Sequence, residues 1–450
     1  MKPASGIKRV FVANRGEIAL RIVDVCEELG LETVVGTSDA DRDGLAARRA
    51  DRAVCIGPAP ASQSYLRDDL VVQAALGTGC DAIHPGYGFL AESPRLAARA
   101  KENGIIFIGP PPEVMELSGD KLRARQEAAG AGLPVLPGHE VRPDDNARRA
   151  ADQIGYPVLV KAAGGGGGRG IKLARDGDEL DGLLSLARSE AGAAFGDDRV
   201  YLERFVANAR HVEVQIAADE HGEVVHLGER DCSVQRRYQK VIEEAPAPNL
   251  DPATRNALTV EAVAFAKAIG YRNLGTVEFV LDADTGEHFF LEINCRIQVE
   301  HPVTEAVTGR DLVALQLRVA DGKLLGFAQE DVLFDGHAIE CRLNAEDVAR
   351  GFMPSPGTLS LFAFPDLVHL RVDTYLRAGA VIPPYYDSLM AKLIAHAEGR
   401  DATVDVMLEA LEDLDVEGVE TNRALLISVL AHDDFRRGAV TTEWLERAIV

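Results

Sequence analysis

The sequence predicts an α/β protein built from several compact units, on three observations. Residues 7–110 alternate short β-rich segments with helical patterns, as a parallel sheet with crossover helices does. A small inserted unit containing a glycine run clamped between two apolar strands follows, and after it another mixed α/β region runs to about residue 330. At 450 residues the chain is also too long for one simple core.

Taken in order, RVFVA, ETVVGTS, RAVCIG, DAIHP and IIFIG read as the strands of the first sheet. Between the first two, Ile18, Ile22, Val25, Cys26 and Leu29 share one helical face, and Gly30 stands where a helix ends. The turn at 14–17 lies at a strand's carboxyl end, where such sheets bind ligands. Its NRGE is not GxGxxG, which disfavours a dinucleotide-binding dehydrogenase.

Residues 118–130 read as helical, and the Pro-rich VLPGHEVRPDD precedes a second helix near 148–154. A small inserted domain is expected to begin near residue 134, with strand YPVLVKAA, the glycine run, strand GIKLA, a helix near 179–190 and strand VYLERFV. In the last part HAIECRLNA and TLSLF read as strands. Residues 402–414 read as a helix with Val404, Leu408 and Leu411 inward and Asp401 as N-cap.

Composition narrows the function. Hydrophobic residues make up 46% and charged residues 26%, and no apolar run is long enough to cross a bilayer. The N-terminus enters a strand with no signal-peptide core, so a cytoplasmic protein is expected. Six cysteines without CxxC spacing read as buried free thiols. A net charge of −23 disfavours nucleic-acid binding.

The sharpest local signal is VKAAGGGGGRG. Lys161 ends a strand, and five glycines cost too much backbone entropy to serve as filler. Their amides approach phosphate oxygens unhindered by Cβ atoms, although the pattern is not a Walker P-loop. In EFVLDADTGEHFFLEINCRIQVEHPVTE, Glu278 and Glu292 sit in apolar strand segments one hairpin apart, and buried carboxylates need compensation. Asn294, Arg296, Gln298 and Glu300 follow at alternate positions and face one pocket with Glu292 if the strand runs on. Oxygen ligands so grouped suit Mg²⁺ against phosphates. A third segment, HLGERDCSVQRRYQKVIEEAP, concentrates Arg230, Arg236, Arg237 and Lys240. It reads as a basic loop which, beside the other two motifs, suits bicarbonate and phosphate.

These segments together resemble biotin carboxylase, the ATP-grasp component of acetyl-CoA, propionyl-CoA and pyruvate carboxylases. The likeness runs from about Ile7 to about residue 445 and is carried by ANRGEIA, HPGYGFLAE, GGGGGRG, RHVEVQ, GERDCSVQRRYQK, GTVEF, RIQVEHPVTE, ECRLNAED and PPYYDS. The resemblance implies a Rossmann-like pre-ATP-grasp domain over 1–118, an ATP-grasp domain over 119–330 with a mobile lid at about 134–206, and a C-terminal domain over 331–450.

It implies ATP phosphate contacts from Lys121 and Lys161, a closing loop of Gly164, Gly165, Gly166, Gly167 and Gly168, and an adenine hinge of Glu203, Arg204, Phe205 and Val206. His211, Gln235 and Tyr238 fall near the ribose, and Glu278, Glu292 and Asn294 match ligands for Mg²⁺ or Mn²⁺. Lys240, Arg296, Gln298 and the Val299 amide match the bicarbonate site, Glu300 the general base, and Arg342 the arginine that stabilises the biotin enolate. Tyr87 falls at the biotin pocket.

Three positions depart from the family pattern: Tyr238 for the common His, Cys295 for Thr or Pro, and Arg204 for Lys. By strand alternation Cys295 is expected to pack away from the site. With no MKM acceptor motif, biotin is expected on a separate carrier protein, with a carboxyltransferase as further partner and a homodimer as the assembly. The implied activity is the first half-reaction of an acetyl-CoA or other acyl-CoA carboxylase, as in fatty acid biosynthesis. The rival readings are an ATP-grasp ligase acting on another carboxylate and a non-catalytic nucleotide-binding subunit.

Overall fold

The computed structural model describes residues 6–142, 144–164 and 171–448. Strands β1 (Arg9–Val12), β2 (Glu32–Ser38), β3 (Arg52–Gly57), β4 (Ala82–His84) and β5 (Ile106–Phe107) form a parallel sheet in the order β3-β2-β1-β4-β5. Helix α1 (Gly16–Glu28) follows β1 and buries Ile18, Ile22, Val25 and Cys26 as expected. Leu29 departs from that face: it caps the helix, and with Gly30 turning at φ +69° its side chain is 49% exposed. Cys55 is the exposed exception among the cysteines, because β3 is a sheet edge.

The region expected to be one helix over 118–130 is two. Pro112–Gly119 ends, and α2 (Lys121–Gly130) restarts after Asp120, whose carboxylate accepts from the Leu122 and Arg123 amides at 3.1 Å. Next, β6 (Gly138–Val141), β7 (Val158–Ala162), β8 (Lys172–Ala174) and β9 (Val200–Arg204) make an antiparallel sheet ordered β6-β9-β7-β8. Of the glycine run, Gly164 bridges to Asp120, while Gly165, Gly166, Gly167 and Gly168 lie outside the described residues.

The third sheet carries the site. It comprises β10 (Ala209–Ala218), β11 (Val224–Arg236), β12 (Gln239–Ala245), β13 (Asn273–Asp282), β14 (His288–Asn294), β15 (His337–Asn344), β16 (Leu370–Thr374) and β17 (Leu389–Ala397). They run antiparallel in the order β14-β13-β10-β11-β12-β15-β17-β16.

Along β10, Val212, Val214 and Ile216 turn to one face and pack with Leu258, Ala262, Phe265 and Ala266 of α3 (Pro252–Ala268). The intervening Glu213 and Gln215 face the other way, since strand side chains alternate, and there Arg230 links them to Thr304 of α4 (His301–Thr308). One face of the sheet is thus an apolar core, and the other is free to carry chemistry.

Two expectations are corrected in the C-terminal part. TLSLF is divided between the short strands Gly357–Thr358 and Leu361–Ala363. Helix α5 (Arg400–Glu412) starts after Gly399, so Asp401 lies in its first turn and is not the N-cap. The Arg400 guanidinium is drawn inward to Glu244 at 2.6 Å and to the Arg436 carbonyl at 2.9 Å, which fits an early start. Val404 and Leu411 are buried, and Leu408 is partly so. Among the described residues no helix is long and apolar enough to cross a membrane.

Phe265 has no solvent exposure and stands edge-on to Phe290 with ring centroids 5.0 Å apart. Phe265→Ala is expected to cost about 3–5 kcal/mol, seen as a lowered urea midpoint by circular dichroism.

Candidate active site

Strand pairing builds the site as a row. Arg230 of β11 lies opposite Glu213 of β10, Glu213 opposite Glu278 of β13, and Glu278 opposite Glu292 of β14. Adjacent carboxylates repel, more so when buried, so the row stands only with cations. Arg230, wholly buried, donates from Nε to Glu213 at 2.6 Å and from its terminal nitrogens to Gln215, Thr304 and Thr276.

Lys240, reaching in from β12, donates to Glu213 at 2.5 Å, Glu300 at 2.6 Å and Glu278 at 3.0 Å. Burial opposes its charge, but the surrounding carboxylates win and raise its pKa well above the usual lysine range. Reciprocally, burial works against ionised Glu278, yet Lys240 and His211 hold it well below the usual carboxylate range. Glu300 is lowered too: burial opposes, while Lys240, Arg342 and Arg230 prevail.

The expected basic loop is therefore a hairpin of β11 and β12, whose strands are mostly buried and whose tip is exposed. Of its four cations only Lys240 points at the carboxylates from above, and Arg230 braces them from the neighbouring strand. Arg236 stacks on Phe352 at 3.7 Å, and Arg237 and Tyr238 form the tip at positive φ, with Tyr238 51% exposed.

The alternation from Glu292 to Glu300 also fails as a strand, because β14 ends at Asn294 and Glu300 precedes α4. The same groups still converge, now from an irregular turn. Asn294 and Gln298 donate to Glu278 at 2.8 and 3.1 Å, and Arg296 donates to Gln298 at 2.5 Å and Asn294 at 3.2 Å. Arg296 also faces Glu92 at 3.3 Å. Cys295 turns away, is 1% exposed among Phe265, Phe290 and their neighbours, and burial pushes its thiol up to about 12.

Arg342 enters from β15, donating from Nε to Glu243 at 2.7 Å and from a terminal nitrogen to Glu300 at 2.9 Å. Glu300 is thus held between Lys240 on one oxygen and Arg342 on the other. Burial raises the Glu243 carboxyl to about 7, with Arg342 opposing, and the facing Glu340, whose oxygens have no partner, is raised well above the usual range by burial.

The other expected residues ring this centre. Lys121, at the start of α2, lies 3.4 Å from Glu292. Lys161 on β7 bonds Glu203 on β9, which also takes Arg125. Arg204 stands over the Phe289 ring at 4.8 Å, Phe205 is half-buried, and Val206 is buried with Leu136 and Ala209. His211 and Gln235 bond each other at 2.9 Å, and the His211 Nε2 is 3.1 Å from Glu278. Tyr87 lines a separate cavity of about 260 Å³ with Tyr375, Tyr385 and Tyr386.

Glu278, Glu292 and Asn294 offer hard oxygen donors on two adjacent strands, a set that fits Mg²⁺ or Mn²⁺. Two other buried groups, His211 with Glu213 and Glu278, and Glu213 with Cys232 and Glu300, bring ligand atoms within 4.8 Å of one another. Their carboxylates are already matched by Lys240 and Arg230, and burial holds the Cys232 thiol well above its usual range. Sequence reasoning passed over Glu213, Glu243 and Lys392. HVEVQ did carry a signal for Glu213: His211, Glu213 and Gln215 alternate with valines in an otherwise apolar strand.

Three family models match in tandem: "Biotin carboxylase, N-terminal domain" over 6–115, "Carbamoyl-phosphate synthase L chain, ATP binding domain" over 120–327 and "Biotin carboxylase C-terminal domain" over 340–447. The chain is 48% identical over 446 residues to a Pseudomonas aeruginosa biotin carboxylase, covering 98% of this chain and 99% of that one. It is 46% identical to Bacillus subtilis biotin carboxylase 1, covering 98% of each. Among solved structures, the biotin carboxylase domain dimer of Hydrogenobacter thermophilus 2-oxoglutarate carboxylase, in complex with MgADP, ADP and bicarbonate, aligns with a TM-score of 0.95. It is 45% identical, with 98% of both chains covered. A Campylobacter jejuni biotin carboxylase complex also aligns at 0.95, with 42% identity and 98% and 99% of the two chains covered.

Glu243 generates a pH prediction. Folding raises its carboxyl from 4.5 to about 7, so the folded chain binds this proton more tightly than the unfolded one. That stabilisation is present in full below pH 4.5 and is lost as pH rises toward 7. Glu243→Gln, which mimics the protonated acid, is expected to make stability less dependent on pH across that interval, read from urea midpoints.

Proposed function

Because this chain belongs to the biotin carboxylase family, we propose that it carboxylates biotin carried by a separate protein, through carboxyphosphate. It is an ATP-dependent ligase of the ATP-grasp fold that uses ATP and Mg²⁺. The observation that carries the mechanism is Glu300, buried yet ionised between Lys240 and Arg342.

In the proposed cycle bicarbonate is held by Lys240, Arg296, Gln298 and the Val299 amide, replacing one of the bonds that Glu300 now makes. Glu300 takes the bicarbonate proton, and the freed oxygen attacks the γ-phosphorus of ATP, expelling ADP and leaving carboxyphosphate. Lys121 and Lys161 neutralise the phosphate oxygens, for which Lys161 exchanges its bond to Glu203. Glu278, Glu292 and Asn294 would hold Mg²⁺, which would supply further charge neutralisation at the phosphates. Carboxyphosphate then divides into CO₂ and phosphate. The phosphate removes the ureido proton of biotin, and the enolate attacks CO₂ while Arg342 balances its charge.

The adenine hinge at Glu203, Arg204, Phe205 and Val206, the ribose contacts of His211, Gln235 and Tyr238, the closing run from Gly164 to Gly168, and Tyr87 beside biotin belong to the same proposal. So do the units 1–118, 119–330 with lid 134–206, and 331–450. The four-stranded sheet from Gly138 to Arg204 supports the lid reading. The partners we propose are a biotin carboxyl carrier protein, a carboxyltransferase and a second copy of this chain, in the cytoplasm where ATP is supplied. The similarity to a domain dimer supports the last of these partners.

ADP release by the purified protein with MgATP and bicarbonate is expected to require bicarbonate and to rise with free biotin. Release indifferent to biotin points to another ATP-grasp carboxylate ligase, and none at all to a non-catalytic subunit. Glu300→Gln is expected to lower bicarbonate-dependent turnover by about 10²–10⁴-fold while ATP binding, followed by calorimetry, persists.

A further inference from the structure

Lys392 lies on β17 directly opposite Arg342 on β15, so the two side chains leave the sheet side by side on one face. Arg342 goes to Glu243 and Glu300, whereas Lys392 is wholly buried and turns to a different set of partners. Its Nζ donates to the Val299 carbonyl at 2.9 Å and lies 3.2 Å from Glu17 and 3.8 Å from Asp373. Glu17, in the first turn of α1, also accepts the Tyr87 hydroxyl. Tyr87 lines the aromatic cavity that takes in Tyr375, Tyr385 and Tyr386.

A fully buried ammonium is costly, and its charge alone needs only carboxylates such as Glu17 and Asp373. The third partner is the informative one. It is the backbone carbonyl of the peptide that leads into Glu300, in a turn with no strand hydrogen bonds of its own to hold it. Lys392 therefore joins the peptide before Glu300 to the tyrosine wall, over a path of three side chains.

Building on the reading that biotin and bicarbonate meet in this site, we propose that Lys392 is a positioning residue. It sets the Val299–Glu300 peptide and couples it, through Glu17, to Tyr87. Occupation of the tyrosine-lined cavity then acts on the aim of Glu300, and one side chain registers both ends of the site.

The test compares wild type with Lys392→Met, Lys392→Arg and Glu17→Gln, measuring bicarbonate-dependent ADP release against ATP concentration, with and without free biotin. Lys392→Met is expected to lower kcat by on the order of 10- to 100-fold, to leave the KM for ATP unchanged, and to abolish stimulation by biotin. Lys392→Arg should recover part of kcat, since a guanidinium also donates to the carbonyl and to Glu17. Glu17→Gln should lose biotin stimulation while keeping more of the biotin-independent rate.

Wild-type kcat and stimulation in Lys392→Met overturn the proposal. So does a loss of ATP affinity equal to the loss of kcat, accompanied by a lowered melting temperature, which marks a merely structural lysine. Should Lys392→Met fail to fold, Glu17→Gln decides, and full biotin stimulation in that variant overturns the coupling. Absence of biotin stimulation in the wild type is a separate result, and it fails the functional reading itself.

Discussion

The Lys240 ammonium is shared by three carboxylates, Glu213, Glu278 and Glu300, brought together from β10, β13 and the turn before α4. None of the three tolerates burial as an anion without it, and none is exposed to water by more than a few per cent. Arg230 beneath and Arg342 beside complete the balance. The cluster is thus a set of charges that are individually unstable in a protein interior and stable only jointly. An incoming anion could exchange for one of these carboxylates without leaving the cations unpaired, which is the property the proposed function draws on.

This arrangement depends on the two-faced sheet. Period-two alternation sends the valines and Ile216 of β10 into the core with α3, and Glu213 and Gln215 to the other face, to Arg230. The apolar face supplies rigidity; the polar face holds Arg230, Glu213, Glu278 and Glu292 in a single row across four strands. The sheet continues through β12 into β15 and β17, which is how Arg342 and Lys392, about 100 or more residues beyond Lys240, reach the same place. Backbone pairing, which varies little between strands, sets the spacing between groups that must act on one another.

Much of this was legible beforehand where the pattern is local. Short β-rich segments interleaved with helical patterns mark the parallel strands, and spacing puts Glu278 and Glu292 one hairpin apart; their pairing sets them opposite each other. Alternation puts Cys295 on the core side, and it packs in the core although β14 ends one residue before it. The failures share a cause. HLGERDCSVQRRYQK reads locally as a basic loop suited to anions; that Arg230 and Lys240 stand on paired strands, with partners from β10 and β13, is decided only by the sheet. Likewise, continuation of β14 to Glu300 was a local extrapolation that the turn into α4 overrules. At helix ends the local pattern misses Leu29 and Asp401 by a residue or two, because capping geometry and a tertiary bond such as Arg400 to Glu244 decide the boundary.

The sequence by itself determined the α/β class, the order of the motifs, the family resemblance and the identity of the residues with chemistry to offer, because each of these is written in residue type and short-range spacing. Tertiary structure alone decided which charges neutralise which, that Glu300 is gripped on both oxygens, that Glu243 and Glu340 sit as facing acids beneath Arg342, and that Lys392 joins Glu17 to the Val299 carbonyl. Those are contacts between residues tens to hundreds of positions apart. Their energies depend on burial and on neighbouring charge, quantities that come into existence only when the strands pair.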